Sequence, residues 1–303
     1  MNADGKGWTV VLRGGALGDF LLTLPLLRGL AAAGERGLLV SRDAYRVLLP
    51  PERGPEQFLA MEGGAAAALY GPMPAAPPGA AWSLRGARML AFQKADAGLA
   101  AAWRAAGAAL VRWIEPRPAG PLPAAVQFCR DAGVAEPPDW SVAAPLAGGP
   151  EADGREPVRT GLWLHPGSGG ARKNAPPAQF AQLAAGWRRA RGGPVTVSFG
   201  EAEDRGFRDA VLAAFAAAGV VPTVAADRSL AELRRGLAGA AGFAGNDSGV
   251  AHLAAACGTP VLALFRATDP AVWRPLGPRV AVAAADAPMA DLLARLLAVA
   301  GGR

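Results

Sequence analysis

Four short polar stretches of the 303-residue sequence hold the residue types that grip phosphate and move protons. The richest is Gly245-Asn246-Asp247-Ser248-Gly249-Val250-Ala251-His252, set between the apolar run 240–244 and the small-residue run 253–257. An apolar run that ends in a polar turn and feeds a small-residue run reads as strand, turn and helix. Such a turn directs free backbone N–H groups and a helix N-terminus at one spot, which suits a phosphate or pyrophosphate. Asp247 and Ser248 bring a carboxylate and a hydroxyl to the same place, although either serves equally well as a plain helix N-cap.

Two more clusters follow apolar runs in the same half of the chain. One is His165-Pro166-Gly167-Ser168-Gly169-Gly170 with Arg172-Lys173-Asn174 behind it; the other is Gly200-Glu201-Ala202-Glu203-Asp204. The glycines let backbone approach a ligand closely, and Lys173 supplies a point charge to a phosphate. A glutamate at a neighbouring strand end accepts hydrogen bonds from ribose hydroxyls. Taken singly, the glycines are turns, Lys173 is a solvated charge, and His165 and His252 are hydrogen-bonding histidines. Their joint placement describes a nucleotide-diphosphate pocket.

The fourth stretch, Arg13-Gly14-Gly15-Ala16-Leu17-Gly18-Asp19, follows the run Trp8 to Leu12 and precedes an apolar helical pattern from Phe20 to Leu30. Arg13 stands where the first glycine of a dinucleotide fingerprint is required in any register ending at Gly18, so a nicotinamide oxidoreductase is disfavoured. Asp19 is a helix cap on the plain reading. Facing a substrate, it is the carboxylate that takes a proton from an acceptor hydroxyl.

The elements that must place these clusters alternate. Strands are expected at 160–164, 195–199, 220–224, 242–244 and 261–265, with helices near 177–191, 204–218, 229–239, 249–257 and 287–299. In the first half, strand signals fall at 8–12, 37–40 and 87–92, and helices near 97–107 and 123–133. Strands separated by helices of this length imply parallel, doubly wound sheets, whose ligands bind at the carboxyl ends of the strands. The proline-rich stretch 72–78 reads as a surface loop, and the segment 136–157, rich in Pro, Gly and Ala, as a linker. The expected division is an N-terminal domain over 1–145 and a C-terminal domain over 146–303, the last helix being a candidate to pack back on the N-terminal domain.

Composition agrees with a folded, soluble chain. Hydrophobic residues make up 51%, and the formal charge is +6 from 31 Lys and Arg against 25 Asp and Glu. The arginines are scattered rather than massed, which suits an anionic substrate or a membrane surface, while a GC-rich coding bias toward Arg explains the balance about equally well; no nucleic-acid partner is expected. Two cysteines without ligand spacing argue against a disulfide framework or a zinc site. The N-terminus lacks a signal-peptide pattern, and no run is long enough to span a bilayer, so a cytoplasmic location is expected.

The motifs R-x-x-x-x-G-D, H-P-G-S-G-x-x-x-K-N, G-x-x-E and G-N-D-S-G-x-x-H-L-A-A-A-x-G-T-P-V together resemble glycosyltransferase family 9. Its best-known members are the ADP-heptose:lipopolysaccharide heptosyltransferases. The similarity continues through Ala263-Leu264-Phe265 and Thr268-Asp269-Pro270 to Trp273-Arg274-Pro275, while 40–150 shows little of it. The resemblance implies a GT-B architecture, two Rossmann-like parallel-sheet domains facing a cleft, with the acceptor on the first and the sugar nucleotide on the second. It implies an inverting, metal-independent transfer of a heptose-like sugar from an ADP-sugar to a lipopolysaccharide-type or other cell-surface glycan or glycolipid; the basic balance and scattered arginines suit an acidic glycolipid at the inner face of the membrane. No cofactor beyond the nucleotide sugar is implied.

Carried over by motif position, Asp19 is the general base and Lys173 neutralises the leaving diphosphate. Ser168, Ser248 and Gly249 line the phosphates, and Asp247 lies near the donor sugar or its phosphates. Glu203 holds the ribose, with Glu201 close in register. Arg13, Gly18, Gly169, Asn246 and His252 complete the expected substrate contacts. Two departures stand out: Ala175 where the family usually has tryptophan, and Arg266 where it usually has glycine. They favour an alternative, a non-catalytic sugar-nucleotide-binding protein derived from the family, against which the presence of Asp19 and Lys173 argues.

Overall fold

The computed structural model describes residues 7–49, 54–144, 146 and 158–301. The chain divides into two compact units, Met1–Trp140 and Ser141–Arg303. Of the expected linker, Ser141 accepts from Gly277 N–H and Leu146 donates to the Ala256 carbonyl, so both are tied to the second unit. Residues 145 and 147–157 of that segment lie outside the described residues.

The first unit runs β1 (Trp8–Arg13), α1 (Leu17–Leu21), α2 (Leu24–Ala32), β2 (Arg36–Ser41) and β3 (Gln57–Ala60). It continues with α3 (Gly64–Ala67), β4 (Arg88–Ala91), α4 (Ala97–Ala105), β5 (Leu110–Trp113) and α5 (Ala124–Ala132). The second unit begins with β6 (Thr160–His165), α6 (Pro177–Arg191), β7 (Val195–Phe199), α7 (Arg205–Ala217), β8 (Thr223–Ala226) and α8 (Leu230–Ala238). It closes with β9 (Ala240–Asn246), α9 (Gly249–Ala256), β10 (Val261–Phe265), α10 (Pro270–Trp273), β11 (Val280–Ala284) and α11 (Met289–Gly301).

Both sheets are parallel, in the orders β3-β2-β1-β4-β5 and β11-β10-β9-β6-β7-β8. The central strands are the continuous apolar runs, because helices cover both faces of a doubly wound sheet. All five residues of β10 are buried, and each large side chain among them contributes roughly 1.5–3 kcal/mol by leaving water. The edge strands β3, β5 and β11 carry mixed burial instead. The sequence reading passed over all three: β3 and β5 contain polar residues, and β11, although apolar throughout, is only five residues of partly buried Val and Ala at the sheet edge.

Two boundaries moved for reasons involving proline. The helix expected from Phe20 to Leu30 is two helices that meet at Leu22–Thr23. Pro25 has no N–H to continue the ladder from α1 and its ring crowds the preceding turn, so α2 starts afresh with Pro25 in its first turn. The strand expected at 220–224 begins only at Thr223, since Pro222 cannot donate to the sheet. Helix α6 matches its expected span 177–191 and buries Phe180, Leu183 and Trp187. The last helix, α11, packs within the second unit on α6, β9, β10 and β11. Gly186 of α6 makes room for it: a Cβ there would sit 2.6 Å from Leu293.

In each sheet the chain order reverses beside its first strand, between β1 and β4 and between β6 and β9. Loops leaving adjacent strands on either side of such a reversal splay apart and open a crevice at the carboxyl edge. The turn after β1 leads into α1, whose first turn carries Asp19. The turns after β6 and β9 carry Ser168, Lys173, Asp247 and Ser248.

Candidate active site

In the second unit the two turns at the strand reversal are pinned together by Asn246, the last residue of β9. Its side-chain amide donates to the Pro166 carbonyl at 2.6 Å, and its Oδ1 accepts from Ala175 N–H at 2.9 Å. The residue is fully buried. Asn246 was expected among the substrate contacts; both ends of its amide instead hold the β6 turn against β9. Ala175, where the family usually has tryptophan, is itself buried and supplies one of those bonds through its backbone.

One residue further, Asp247 turns its carboxylate toward the β6 turn. Lys173 Nζ lies 2.7 Å from Oδ2, Thr268 Oγ1 donates to the same oxygen at 2.6 Å, and His252 Nε2 stands 3.9 Å from Oδ1. The last distance is beyond hydrogen-bond reach. Burial alone would push this carboxyl up, but His252, Lys173 and Thr268 outweigh it and hold it at about 2. Asp247 is therefore ionised at every ordinary pH. Three residues far apart in sequence, 173, 252 and 268, meet on one carboxylate.

The phosphate-gripping candidates flank this cluster. Ser248 caps α9, its Oγ accepting from Ala251 N–H at 3.4 Å, and Gly249 opens the helix half-buried. Gly249 lies in the first turn of α9, whose leading N–H groups have no partner within the helix. Ser168 keeps its hydroxyl inside its own turn, with Asn174 Oδ1 at 2.6 Å and the Gly170 carbonyl at 2.9 Å, while Gly169 is exposed with open space over its Cα. Arg266 is exposed and donates to the Asn174 carbonyl at 3.0 Å. It lines a cavity of about 650 Å³ together with Gln179, Gln182, Phe265, Asp286 and Met289.

Glu203 and Glu201, left open as ribose ligands by the sequence, separate cleanly: Glu203 is buried and Glu201 exposed. Glu203 Oε2 accepts from Gly200 N–H at 2.7 Å. Its Oε1 lies over Gly167, where an added Cβ would come within 2.0 Å of it. Glycine at 167 is thus what lets the carboxylate reach the β6 turn. Burial pushes the Glu203 carboxyl upward against the opposing pull of Gly200 N–H and Arg208. His165 is buried with Nδ1 3.1 Å from the Ser198 carbonyl, and burial draws its ring down to about 4, leaving it neutral.

In the first unit Arg13 ends β1 almost wholly buried, 1% exposed. Its Nε donates to Thr23 Oγ1 at 3.0 Å and its Nη2 to the Asp19 carbonyl at 2.8 Å, and the guanidinium lies 4.3 Å from the Phe92 ring centroid. Burial lowers this guanidinium to about 10, against the opposing pull of Asp19 and Tyr45. Arg13 was expected to touch substrate; its hydrogen bonds go to α1 and its neighbour Thr23, which also donates to the Asp19 carbonyl at 2.9 Å. The turn is tied from a third side by Tyr45 Oη to the Gly15 carbonyl, 3.1 Å. Asp19 itself is half-buried beside half-buried Gly18, and among the described residues its carboxylate accepts only a long bond from Ala16 N–H, 3.3 Å. The clamp on its backbone, supplied by Arg13 and Thr23, could not be read from residue spacing.

Among the described residues no group of three or more His, Cys, Asp or Glu side chains could hold a metal ion. Residues 150–294 match the family described as Glycosyltransferase family 9 (heptosyltransferase). No curated protein matches the chain by sequence. Among solved structures, the E. coli heptosyltransferase WaaC with ADP is 18% identical, with a TM-score of 0.66 over 97% of this chain and 99% of that one. The E. coli ADP-heptose lps heptosyltransferase II is 17% identical, with a TM-score of 0.68 over 97% and 98%. A glycosyl transferase family 9 protein from Veillonella parvula is 18% identical, with a TM-score of 0.66 over 94% and 87%. The two parallel-sheet units are those of these structures, and the motifs around Lys173, Glu203 and Asp247 lie inside the matched segment. The match over residues 150–294 and the shared fold support a glycosyltransferase whose second unit is similar to family 9 (heptosyltransferase).

Proposed function

We propose that the protein transfers a heptose-like sugar from an ADP-sugar to a lipopolysaccharide-type or other cell-surface glycan acceptor, with inversion and without a metal ion. The observation that carries the reading is the Lys173 ammonium held on Asp247 at the strand reversal, directly before Ser248 caps α9. Cation and helix N-terminus together suit a diphosphate.

In this reading the acceptor hydroxyl attacks the anomeric carbon in line with the departing diphosphate. Asp19 takes the hydroxyl proton as the new C–O bond forms. The old bond breaks toward the diphosphate, whose gained negative charge meets Lys173 and the N–H groups around Gly169 and Gly249. A single displacement needs one base and one stabilised leaving group, which these residues supply. Asp247 is too acidic to serve as a second base; it positions Lys173 and offers its remaining lone pairs to the donor sugar. Asn246 and Arg13 act from behind, holding the two turns in shape. Glu203 accepts from the ribose.

The acceptor and location follow from charge and family. A net charge of +6 suits an acidic glycolipid met at the cytoplasmic face of a membrane, by peripheral contact and with no nucleic-acid partner. No described helix is long and apolar enough to cross a membrane. Two neighbours were determined with ADP and with ADP-2-deoxy-2-fluoro heptose, which supports adenine as the base. A thermal-shift panel of ADP-, GDP-, UDP- and dTDP-sugars tests the donor. ADP-sugars are expected to raise Tm most; a chain stabilised by none of the four would sink the enzyme reading.

A further inference from the structure

Arg208, in the first turns of α7, makes more hydrogen bonds than its own helix needs. The cap of α7 is already filled by Asp204, whose carboxylate accepts from Phe207 N–H at 2.8 Å. The Arg208 side chain instead curls back over the turn that precedes the helix. Its Nε donates to the Glu203 carbonyl at 2.8 Å and its Nη2 to the Gly200 carbonyl at 2.8 Å. The far edge of the same guanidinium meets both oxygens of Asp227, at 2.9 and 2.8 Å.

Asp227 follows β8 and, among the described residues, is the one non-glycine in the left-handed region, at φ +48°. That conformation is sparsely populated for a residue with a Cβ and persists where surroundings hold it. Here the two-pronged pairing with Arg208 and a backbone bond from Asp227 N–H to the Phe199 carbonyl do so. The planar fork of one arginine therefore joins the end of β8 to the Gly200–Glu203 turn after β7. A lysine, with its single point charge, cannot span the same four acceptors.

Bulk stability is a poor explanation for this device. The Asp227 side chain is 54% exposed, and exposed ion pairs contribute little. What the fork does fix is the turn whose other end binds the Glu203 carboxylate through Gly200 N–H. With both carbonyls of the turn held, Glu203 Oε2 is spent internally and Oε1 is presented in one place against Gly167.

We propose that Arg208 is a positioning residue that sets the selectivity of the donor site for ribose over deoxyribose, by locking the Gly200–Glu203 turn to Asp227. The proposal rests on the reading of Glu203 as the ribose ligand. A pre-placed carboxylate accepts a ribose hydroxyl without an ordering cost, whereas one on a loose turn must be ordered by the ligand.

Calorimetric titration of ADP, 2′-deoxy-ADP and 3′-deoxy-ADP into the wild-type chain and into Arg208→Ala, Arg208→Lys and Glu203→Gln variants tests it. The wild type is expected to prefer ADP over at least one deoxy analogue by roughly tenfold or more, the scale of a hydrogen bond to a charged group. Arg208→Ala and Arg208→Lys are both expected to bring that preference close to one while leaving the affinity for the deoxy analogue unchanged. The lysine variant keeps the charge and guards against a merely unfolded alanine variant. A preference that survives in either folded Arg208 variant, or equal weakening of all three ligands, overturns the proposal. Absence of any preference in the wild type, with Glu203→Gln equally without effect, overturns the ribose reading itself and the proposal with it.

Discussion

Two aspartates, one in each unit, sit just past the end of a central strand beside a strand reversal, and their surroundings are opposite. Asp247 has its side chain gripped by Lys173 and Thr268, with His252 3.9 Å away, and its carboxyl held at about 2. Asp19 has its backbone carbonyl gripped, by Arg13 and Thr23, while its carboxylate takes only the 3.3 Å contact from Ala16 N–H. A carboxylate whose lone pairs are taken by strong donors is a poor proton acceptor, because each donor stabilises the charge that protonation would remove. Holding the main chain instead leaves the carboxylate placed yet available. The same residue type can thus be a fixed charge or a base, and the difference lies in which of its atoms the neighbours hold.

The sharpest way to break this contrast is to exchange acid for amide at both positions. Asp19→Asn is expected to lower kcat by roughly 10²–10⁴, the usual worth of a general base, with ADP affinity unchanged by calorimetry. Unaltered turnover would remove Asp19 as the base, whereas no transfer by the wild type from any ADP-sugar it binds would favour a non-catalytic nucleotide-binding protein. Asp247→Asn should cut turnover less and weaken donor binding as well, since it frees Lys173 from its anchor. If Asp247→Asn proves the more damaging to kcat at saturating donor, the roles assigned to the two aspartates are reversed.

A second measurement follows from the depressed Asp247 carboxyl. Its folded value of about 2 lies below the ordinary 3.8, so the ionised form is favoured by folding. The resulting stabilisation is fully present above the unfolded value and is lost as pH falls through the folded one. Denaturant unfolding at pH 6 and at pH 2 should therefore show the wild type losing about 2 kcal/mol more than Asp247→Asn over that interval. Equal losses in the two proteins would mean that the carboxylate is not held by its three partners in solution.

The smallest expected effect is none. If one base and one cation suffice, exhaustive treatment with EDTA leaves the transfer rate unchanged within error. Loss of activity on chelation, restored by a divalent ion, would show that Lys173 and the N–H groups do not carry the leaving charge alone.

Much of this was legible before any coordinates. The alternation of apolar runs with helical patterns placed α6 and β10 at their observed bounds, and the polar clusters did fall at strand ends. Spacing could not show that Glu203 is buried while Glu201 is exposed. Edge strands such as β3 and β5 escaped notice because a strand covered on fewer sides needs no continuous apolar run. The break between α1 and α2 was signalled by Pro25 and overlooked against the strength of the apolar pattern around it.

What the residues alone determined is the order of elements and which polar side chains stand at their carboxyl ends, since both depend on local propensity and periodicity. What only the tertiary structure decided is which of those side chains remain available. Asn246 is consumed by backbone near positions 166 and 175 and Arg13 by α1 and Thr23, while Asp247 has one oxygen taken by residues 173 and 268. A buried donor or acceptor must find a partner wherever the fold brings one, and those partners lie up to 80 positions away in the chain. Asp19 stayed open because its neighbours hold its carbonyl, a distinction no residue type encodes.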